Sequence, residues 1–139
     1  RRVREVDDPT PARYNADMAS VLRMRGLTTP QMRALAVLSV HSELTVNELA
    51  VYTVMEQSTM SRTLDAMEEA GLVLRKQRAD DGRVRSVSLT NAGKSAFRAV
   101  WPLMRGEEER MFEGIDGAER DALLATLSKV LRNIRRHQL

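Results

Sequence analysis

The stretch "STMSRTLDAMEEAGLVLR", residues 58–75, changes its hydrophobic period part-way along, and this change decides the fold. Its first part predicts a helix from about residue 56 to residue 70, because apolar side chains recur at i, i+4 and i+7 before Gly71 ends the run. The apolar positions are Met60, Leu64 and Met67. The opposite face is small and polar, with Ser58, Thr59, Ser61, Arg62, Asp65 and Glu69. This helix therefore combines a buried stripe with a hydrogen-bonding face.

After Gly71 the hydrophobic period becomes two, which is typical of β-strands. The sequence predicts strands over residues 72–78 and 84–89, joined by a short loop that contains Asp81 and Gly82. An Asp-Gly pair between two alternating runs is a strong hairpin signal. A short helix should precede the first one, since "TVNE", residues 45–48, fits a capping box. Two helices followed by a hairpin form a winged helix-turn-helix.

Capping signals place four further helices around this core. Thr10-Pro11 and Thr29-Pro30 each pair a helix N-cap with a proline at the first helical position. Thr90 caps a long helix that Pro102 should kink or end, and Asp116 with Glu119 forms another capping box before the last helix. The expected fold class is mainly α with a small β-hairpin wing. A winged helix-turn-helix core is flanked by long N-terminal and C-terminal helices.

Charge is unevenly distributed along the 139 residues, whose formal net charge is +3. Residues 75–94 carry six basic and two acidic side chains, a local charge of +4, whereas residues 28–74 carry two basic and six acidic ones. A concentrated basic segment suits a polyanion, although a solvated basic hairpin without a partner explains the charge equally well. The spatial pairing decides between them, since short polar side chains let a helix enter a major groove beside a basic hairpin.

The sequence lacks the residues that a metal site, an active site or a membrane span requires. Cysteine is absent, the two histidines are far apart in sequence, and no metal-ligand spacing occurs, so we expect no metal, cofactor or catalysis. No apolar run approaches the roughly 18 residues of a membrane span, and no export signal is evident, so the cytoplasm is the expected location. Two alternatives to DNA binding compete with it. A winged helix that binds protein would need an apolar, uncharged recognition face, whereas this one is polar and carries Arg62. An enzyme acting on a small molecule would need a convergent set of titratable groups, which the sequence does not show.

Three stretches carry a resemblance to a known family. They are "TVNELA" (45–50), the stretch 58–75 quoted above and "DGRVRSVSLTNAG" (81–93). With them the chain resembles the MarR-type (multiple antibiotic resistance) transcriptional regulators over almost its whole length. The resemblance implies a homodimer in one domain, 1–139, with a winged lobe over 28–92 and dimerisation helices over 9–27 and 93–138. Each lobe would bind half of a pseudo-palindromic operator in double-stranded DNA, and the protein would act as a repressor.

The resemblance also implies site residues. The recognition helix would read the major groove with Gln57, Ser58, Thr59, Ser61 and Arg62. The wing would contact DNA with Arg78, Asp81, Arg83 and Arg85, where Asp81 orients Arg83 for the minor groove. A small aromatic or anionic effector would bind between dimer helices and lobe, near Tyr14, Met18, His41 and Trp101. The chain departs from the family pattern at Gly82, where a second arginine is common. Because cysteine is absent, family members that sense oxidants through a cysteine are not a model for this chain.

Several of these residues can also be explained by a structural role, such as core packing or the end of a helix. The eight methionines lie at helical spacings and are expected in the core. Tyr14 and Trp101 are also explained by packing in the core, and His41 is also explained as the last residue of a helix. The acidic run 107–109 is expected to be a solvated helix face.

Overall fold

Six helices and three short strands make up the part of the chain that this computed structural model describes, which is residues 11–77, 80 and 82–136. In chain order they are α1 (Pro11–Met24), α2 (Thr29–Val40), β1 (Leu44–Thr45), α3 (Val46–Thr53), α4 (Gln57–Glu69), β2 (Val73–Gln77), β3 (Arg85–Leu89), α5 (Asn91–Met111) and α6 (Gly117–Arg136). The mainly helical fold class with a small winged sheet is therefore confirmed. None of the described helices is long and apolar enough to cross a lipid bilayer.

Helix α2 begins one residue earlier than its proline signal indicates. Thr28, not Thr29, is the N-cap, and its hydroxyl accepts a hydrogen bond from the backbone N–H of Gln31 at 3.3 Å. The Gln31 side chain returns the bond to the Thr28 N–H at 3.0 Å. A cap at Thr29 would put Met32 at the third helical position, where its side chain cannot return such a bond. The reciprocal pair therefore selects Thr28.

Two predicted capping boxes are confirmed. At α3, the Thr45 hydroxyl accepts from the Glu48 N–H at 3.1 Å while the Glu48 carboxylate accepts from the Thr45 N–H at 2.8 Å. At α6, Asp116 and Glu119 exchange the same two bonds at 2.9 and 3.0 Å. The proposed cap at Thr10 lies outside the described residues. Each box satisfies two backbone amides that have no partner within the helix.

The sheet contains one strand more than the predicted hairpin. Strands β2 and β3 pair antiparallel with Val73 opposite Leu89 and Gln77 opposite Arg85. Strand β1 pairs antiparallel with the other edge of β3, with Leu44 opposite Val87, so the order is β1-β3-β2. Strand β1 is only two residues long, and only its pairing with β3 distinguishes it from a loop.

The core of the first compact unit, which ends at Leu103, collects one face of each element. The predicted stripe of α4 is confirmed, because Met60, Leu64 and Met67 are each 0% exposed. They belong to a set of fully buried large side chains: Leu22, Met32, Leu35, Leu49, Met60, Leu64, Met67, Val87 and Val100. Burial of this stripe turns the polar face of α4 outward.

Thr90 joins three segments at the base of the wing. Its hydroxyl accepts from the Gly93 N–H at 3.0 Å, as predicted for a cap, and donates to the Gly71 carbonyl at 2.6 Å. Gly93 is buried in α5, and a Cβ there would lie 2.0 Å from the Leu72 carbonyl oxygen. Only glycine lets the backbone of α5 approach the start of β2 this closely.

The second unit begins at Met104 and contains the end of α5 and all of α6. Glu107 pairs with Arg110, Glu108 with Arg120, and Glu109 with Arg105 at 3.5 Å. The acidic run is thus ion-paired rather than simply solvated, because arginines lie at helical spacing on α5 or across the α5–α6 turn. Arg120 also lies 4.6 Å above the Phe112 ring centroid.

Two other expectations need correction. Helix α5 is continuous through Pro102, so the proline does not end it, and the alternative that it kinks the helix stays a prediction; proline has no N–H to donate to the preceding turn. The methionines are not uniformly core residues. Met32, Met60 and Met67 are buried, but Met24 is 84% exposed and Met111 is 56% exposed, because these two lie at the ends of α1 and α5.

Candidate nucleic-acid interface

The turn between α3 and α4 sets the direction of the candidate recognition helix. Helix α3 ends at Thr53, whose buried hydroxyl donates to the Leu49 carbonyl at 2.6 Å. Val54 follows in the left-handed conformation with φ 55°, and it is 86% exposed. The chain reverses there and enters α4 at Gln57. A left-handed residue is an efficient helix stop, although a β-branched side chain adopts it only under strain.

The outward face of α4 has the character predicted for base reading. Gln57, Ser58 and Arg62 are exposed, while Thr59 and Ser61 are half-buried. The Arg62 Nε donates to the Ser58 carbonyl at 3.4 Å, which lays the guanidinium along the first turns of the helix. Short hydroxyl side chains allow close approach of a helix to base edges, and one arginine can form a bidentate contact with guanine.

A groove separates the first turns of α3 and α4 from the wing. Its volume is about 340 Å³, and its lining residues are Thr45, Val46, Asn47, Gln57, Ser61, Arg75, Arg83, Val84 and Arg85. Its lining includes the exposed Arg83 and Arg85, whereas the guanidinium of Arg75, the third arginine, is held by two carboxylates of α4. Such a groove can accept a phosphate, since guanidinium, hydroxyl and amide groups all donate hydrogen bonds to phosphate oxygens.

Arg75 of the basic segment is bound by two carboxylates of α4. Its side chain is only 15% exposed, and its guanidinium donates to Asp65 at 2.7 Å and to Glu68 at 2.9 Å. This hydrogen bonding lowers the pKa of the Glu68 carboxyl below its ordinary value, against the opposing effect of partial burial. The Glu68 carboxylate likewise raises the pKa of Arg75. The basic segment therefore presents less uncompensated charge than its sequence indicates.

The predicted wing residues are only partly within the described chain. Arg83 and Arg85 are exposed and line the groove, next to Gln57 and Ser61 of α4. Arg78 and Asp81 lie outside the described residues. The orienting role of Asp81 toward Arg83 stays a prediction. The structure thus places two predicted wing residues beside two predicted residues of the recognition helix.

A second cavity, of about 590 Å³, lies where the end of α2, the end of β3 and the start of α5 meet. Its lining residues are Leu38, Ser39, Val40, Ser42, Ser88, Leu89, Lys94, Phe97 and Arg98. Two cations and one aromatic ring thus face a space large enough for a small organic molecule. Lys94, Phe97 and Arg98 were not predicted for this site from the sequence. Their spacing of i, i+3 and i+4 places two cations and an aromatic ring on one face of α5, and this pattern could have indicated them.

None of the residues predicted for the effector is among the described residues that line this cavity. Trp101 is 40% exposed and stacks on Phe97 with ring centroids 5.3 Å apart. His41 is the C-cap of α2 and stacks on Tyr52 at 4.9 Å. Met18 is half-buried in α1, and the side chain of Tyr14 lies outside the described part. Their role in effector binding stays a prediction.

Known proteins match both the sequence and the fold. The family model described as MarR family matches residues 25–84. The crystal structure of a MarR-family transcriptional regulator from Silicibacter pomeroyi is 44% identical, covers 92% of this chain and 86% of that chain, and superposes with a TM-score of 0.83. This chain belongs to the MarR family.

Two other relatives bear on what a MarR-family chain does. The regulator MOSR of M. tuberculosis, solved in complex with DNA, is 30% identical with a TM-score of 0.67, over 89% of this chain and 91% of that chain. The HTH-type transcriptional repressor IacR of Pseudomonas putida is 28% identical over 88% of this chain and 73% of its own length. As a MarR-family member, the chain is a DNA-binding transcriptional regulator with a winged helix-turn-helix.

Proposed function

We propose that this chain is a homodimeric, non-catalytic repressor that binds a pseudo-palindromic operator in double-stranded DNA and leaves it when a small aromatic or anionic effector binds. The observation that carries the proposal is the exposed polar face of α4 beside an arginine-lined groove. The DNA complex of MOSR and the repressor activity in the name of IacR support it at the level of the family.

Two sets of residues would contact DNA. The recognition helix would enter the major groove with Gln57, Ser58, Thr59, Ser61 and Arg62. The wing would follow the adjacent backbone and minor groove with Arg78, Asp81, Arg83 and Arg85. Arg62 is the candidate base reader because it is exposed one turn into α4, where side chains reach base edges. The groove between helix and wing would seat a phosphate.

Dimerisation would use the helices outside the winged lobe, residues 9–27 and 93–138, with the lobe itself over 28–92. Support comes from α6, whose apolar side chains are between 44% and 54% exposed: Leu123, Leu124, Leu127, Val130, Leu131 and Ile134. They recur at helical spacing and form one stripe. A second copy of the chain can cover this stripe and place two recognition helices on one face of the DNA.

The cavity of about 590 Å³ would hold the effector. A carboxylate on a small ring could pair with Lys94 or Arg98 while the ring packs on Phe97. The cavity is bordered by α5, which begins directly after the wing strand β3. A ligand there could shift the wing and lower the affinity for the operator only by binding the DNA-free form better.

Operator binding is tested by selecting preferred sequences from random duplexes and measuring the affinity of Arg62→Ala on the selected and on altered sites. We expect a loss of about 1–3 kcal/mol on the operator and a relaxed preference at one position of each half-site. The matched control is Arg110→Ala, which removes an exposed, ion-paired arginine in the second unit. Equal weakening on every sequence would assign Arg62 to a phosphate, and an unselective wild type would contradict the proposal.

The orienting role of Asp81 is tested by a double-mutant cycle with Arg83. Asp81→Ala removes a negative charge near DNA, so electrostatics alone predicts tighter binding. If Asp81 holds Arg83 in the geometry of the minor groove, binding weakens instead, and Arg83→Ala weakens it more. The double variant should then be little worse than Arg83→Ala. Tighter binding of Asp81→Ala would refute the orienting role.

Effector binding is tested with benzoate as the probe and benzamide as its uncharged control. At 100 times its Kd, a ligand of the folded state adds about 2.7 kcal/mol of stability, which a thermal shift detects. We expect benzoate, or a larger aromatic acid of the same chemistry, to raise the melting temperature and to release DNA. Lys94→Met together with Arg98→Met should abolish both effects. Release that persists in this variant would place the effector elsewhere.

A further inference from the structure

One arginine of β2 links the candidate recognition helix to the wing. The Arg75 guanidinium donates through Nη2 to Asp65 at 2.7 Å and through Nε to Glu68 at 2.9 Å. Both carboxylates belong to α4, whereas Arg75 lies in β2 opposite Val87 of β3. The Arg75 side chain is 15% exposed, so a guanidinium with little access to solvent spans the two elements. We call this set of three residues the clamp.

We propose that the clamp is a positioning device, which fixes the rotation of α4 against the wing so that both elements meet DNA in one register. This inference rests on the proposed function, in which α4 reads the major groove and the wing follows the neighbouring backbone. Asp65 and Glu68 are three residues apart and lie on one ridge of α4. Two contact points along a ridge, both held by one rigid planar group, resist rotation of the helix about its axis.

The same ridge carries the candidate base reader. Arg62 precedes Asp65 by three residues, so it lies one turn closer to the N-terminus of α4 on the same side. A rotation of α4 that released Asp65 and Glu68 would therefore also move Arg62. At the other end of the clamp, β2 is paired with β3, which leads back toward Arg85 and the wing tip. The clamp thus lies between the two DNA-contacting elements.

The two carboxylates of the clamp lie on a helix that would approach DNA. Two carboxylates on a helix that approaches DNA oppose binding, since the phosphate backbone repels them. Ion pairs with partly exposed members contribute little to stability, and the side chains of Asp65 and Glu68 are 63% and 39% exposed. A positioning role explains why acids occupy this part of α4, because they hold the only group that ties it to β2 among the described ion pairs.

Arg75 also lines the groove, so a direct phosphate contact is the competing explanation. The two roles differ in what they do to specific and nonspecific binding. A phosphate contact contributes on every sequence, and its loss lowers the slope of log K against log salt by about 0.9. A positioning residue contributes only where base contacts depend on geometry. Its loss should lower the preference for the operator and leave the salt slope of nonspecific binding unchanged.

The test compares Arg75→Met with Lys76→Met, which removes the same charge from the next, exposed position of β2. Affinity is measured on the selected operator and on a scrambled duplex over a range of salt concentrations. We expect Arg75→Met to lower the ratio of operator to scrambled affinity at least tenfold, with scrambled binding and its salt slope retained. Lys76→Met should leave the ratio unchanged. Retained binding to scrambled DNA also shows that Arg75→Met is folded.

The acidic partners provide a test whose sign is diagnostic. Asp65→Asn and Glu68→Gln each remove a negative charge near DNA, so simple electrostatics predicts tighter operator binding. The clamp predicts a lower operator preference for both, with Glu68→Gln the more affected because Glu68 accepts from two nitrogens of Arg75. Arg75→Lys should recover part of the preference, since an ammonium can hold one carboxylate but not both in a planar fork.

Two results would overturn the clamp alone. One is a loss of about 0.9 in salt slope with equal weakening on both duplexes, which would make Arg75 a phosphate contact. The other is a wild-type preference for the operator that Arg75→Met and Glu68→Gln retain in full. A wild-type protein that prefers no sequence would instead overturn the proposed function, and it is recognised without any variant.

Discussion

The winged lobe (28–92) and the C-terminal segment (104–136, the end of α5 with α6) differ in how far their leucine side chains are buried. In the lobe, Leu35, Leu49 and Leu64 are each 0% exposed. In the C-terminal segment, Leu124 and Leu131 are 52% and 54% exposed, and none of its side chains described to residue 134 is buried. The lobe therefore completes its core within one chain. The C-terminal segment presents an apolar stripe whose burial requires another surface.

Polar interactions differ much less between the two regions. In the lobe, Arg75 is 15% exposed, but its partners Asp65 and Glu68 are 63% and 39% exposed. The C-terminal segment joins α5 to α6 through Glu108 and Arg120, whose side chains are each 38% exposed, and α6 has a reciprocal capping box like those of α2 and α3. Exposed ion pairs contribute about 0–1 kcal/mol each. Burial of apolar side chains, rather than ion pairing, therefore separates the two regions.

The largest expected effect is on the lobe core. Leu64→Ala should lower the free energy of unfolding by about 2–5 kcal/mol, because it leaves a cavity among fully buried neighbours. The loss should be the same at every protein concentration. Chemical denaturation at two concentrations measures it, with Leu127→Ala in α6 as the control. A concentration-dependent loss for Leu64→Ala would remove the distinction between the two regions.

The next effect concerns the apolar stripe of α6. Leu127→Asp with Leu131→Asp puts two carboxylates on that stripe and should raise the dimer dissociation constant at least tenfold, since each charge would have to be desolvated in the interface. Sedimentation measures the constant. Lys129→Asp adds the same group on the opposite side of α6 and should have little effect. A double variant that stays dimeric would show that α6 is covered by something other than a second copy.

A smaller effect is expected at the turn between α3 and α4. Val54→Asn should raise the free energy of unfolding by on the order of 1 kcal/mol, because asparagine tolerates the left-handed conformation that costs valine about 1–2 kcal/mol. Val54 has φ 55° and is 86% exposed, so little apolar burial is lost. The control, Val51→Asn, changes an exposed valine inside α3 and should be slightly destabilising. Thermal denaturation distinguishes the two, and a loss of stability in Val54→Asn would contradict the strain.

The smallest effect is the pH dependence of the clamp. Arg75 lowers the pKa of Glu68 in the folded state from an unfolded value near 4.5. The unfolded chain therefore binds the proton more readily, and the contribution of Glu68 to stability is fully present above about pH 4.5. It is lost as pH falls through the lowered pKa. Comparing acid denaturation of Glu68→Gln with that of the wild type should show a shallower acid-side loss in the variant, and identical profiles would contradict it.

Local signals explain what the sequence predicted well. The stripe of α4, the capping boxes at Thr45 and Asp116 and the strands of the wing depend on residues within one or two turns of each other. Strand β1 was missed because two residues carry no period, and its hydrogen bonds come from β3 more than forty positions away, as Leu44 opposite Val87 shows.

Charge was less predictable than pattern. The count for residues 75–94 included Arg75 among the cations available to DNA, but its partners Asp65 and Glu68 lie in a different element. Whether an arginine is compensated depends on contacts between elements, which composition does not contain. The predicted polar face of α4 depended only on helical spacing, and its members do lie outward or half-buried.

The hydrogen bond from the Thr90 hydroxyl to the Gly71 carbonyl joins residues nineteen positions apart, and the whole of β2 and β3 lies between them. The capping bond that this hydroxyl accepts from the Gly93 N–H is local, but its bond to Gly71 can form only after the two strands have paired. Hairpins form in about 1–10 μs, whereas a helix elongates in roughly nanoseconds per residue once nucleated. During refolding, we expect the amide of Thr90, which donates to the Leu72 carbonyl at 3.1 Å, to become protected from hydrogen exchange together with those of β3. Strand pairing thus fixes where α5 begins relative to the wing, whereas its capping bond depends only on residues 90–93.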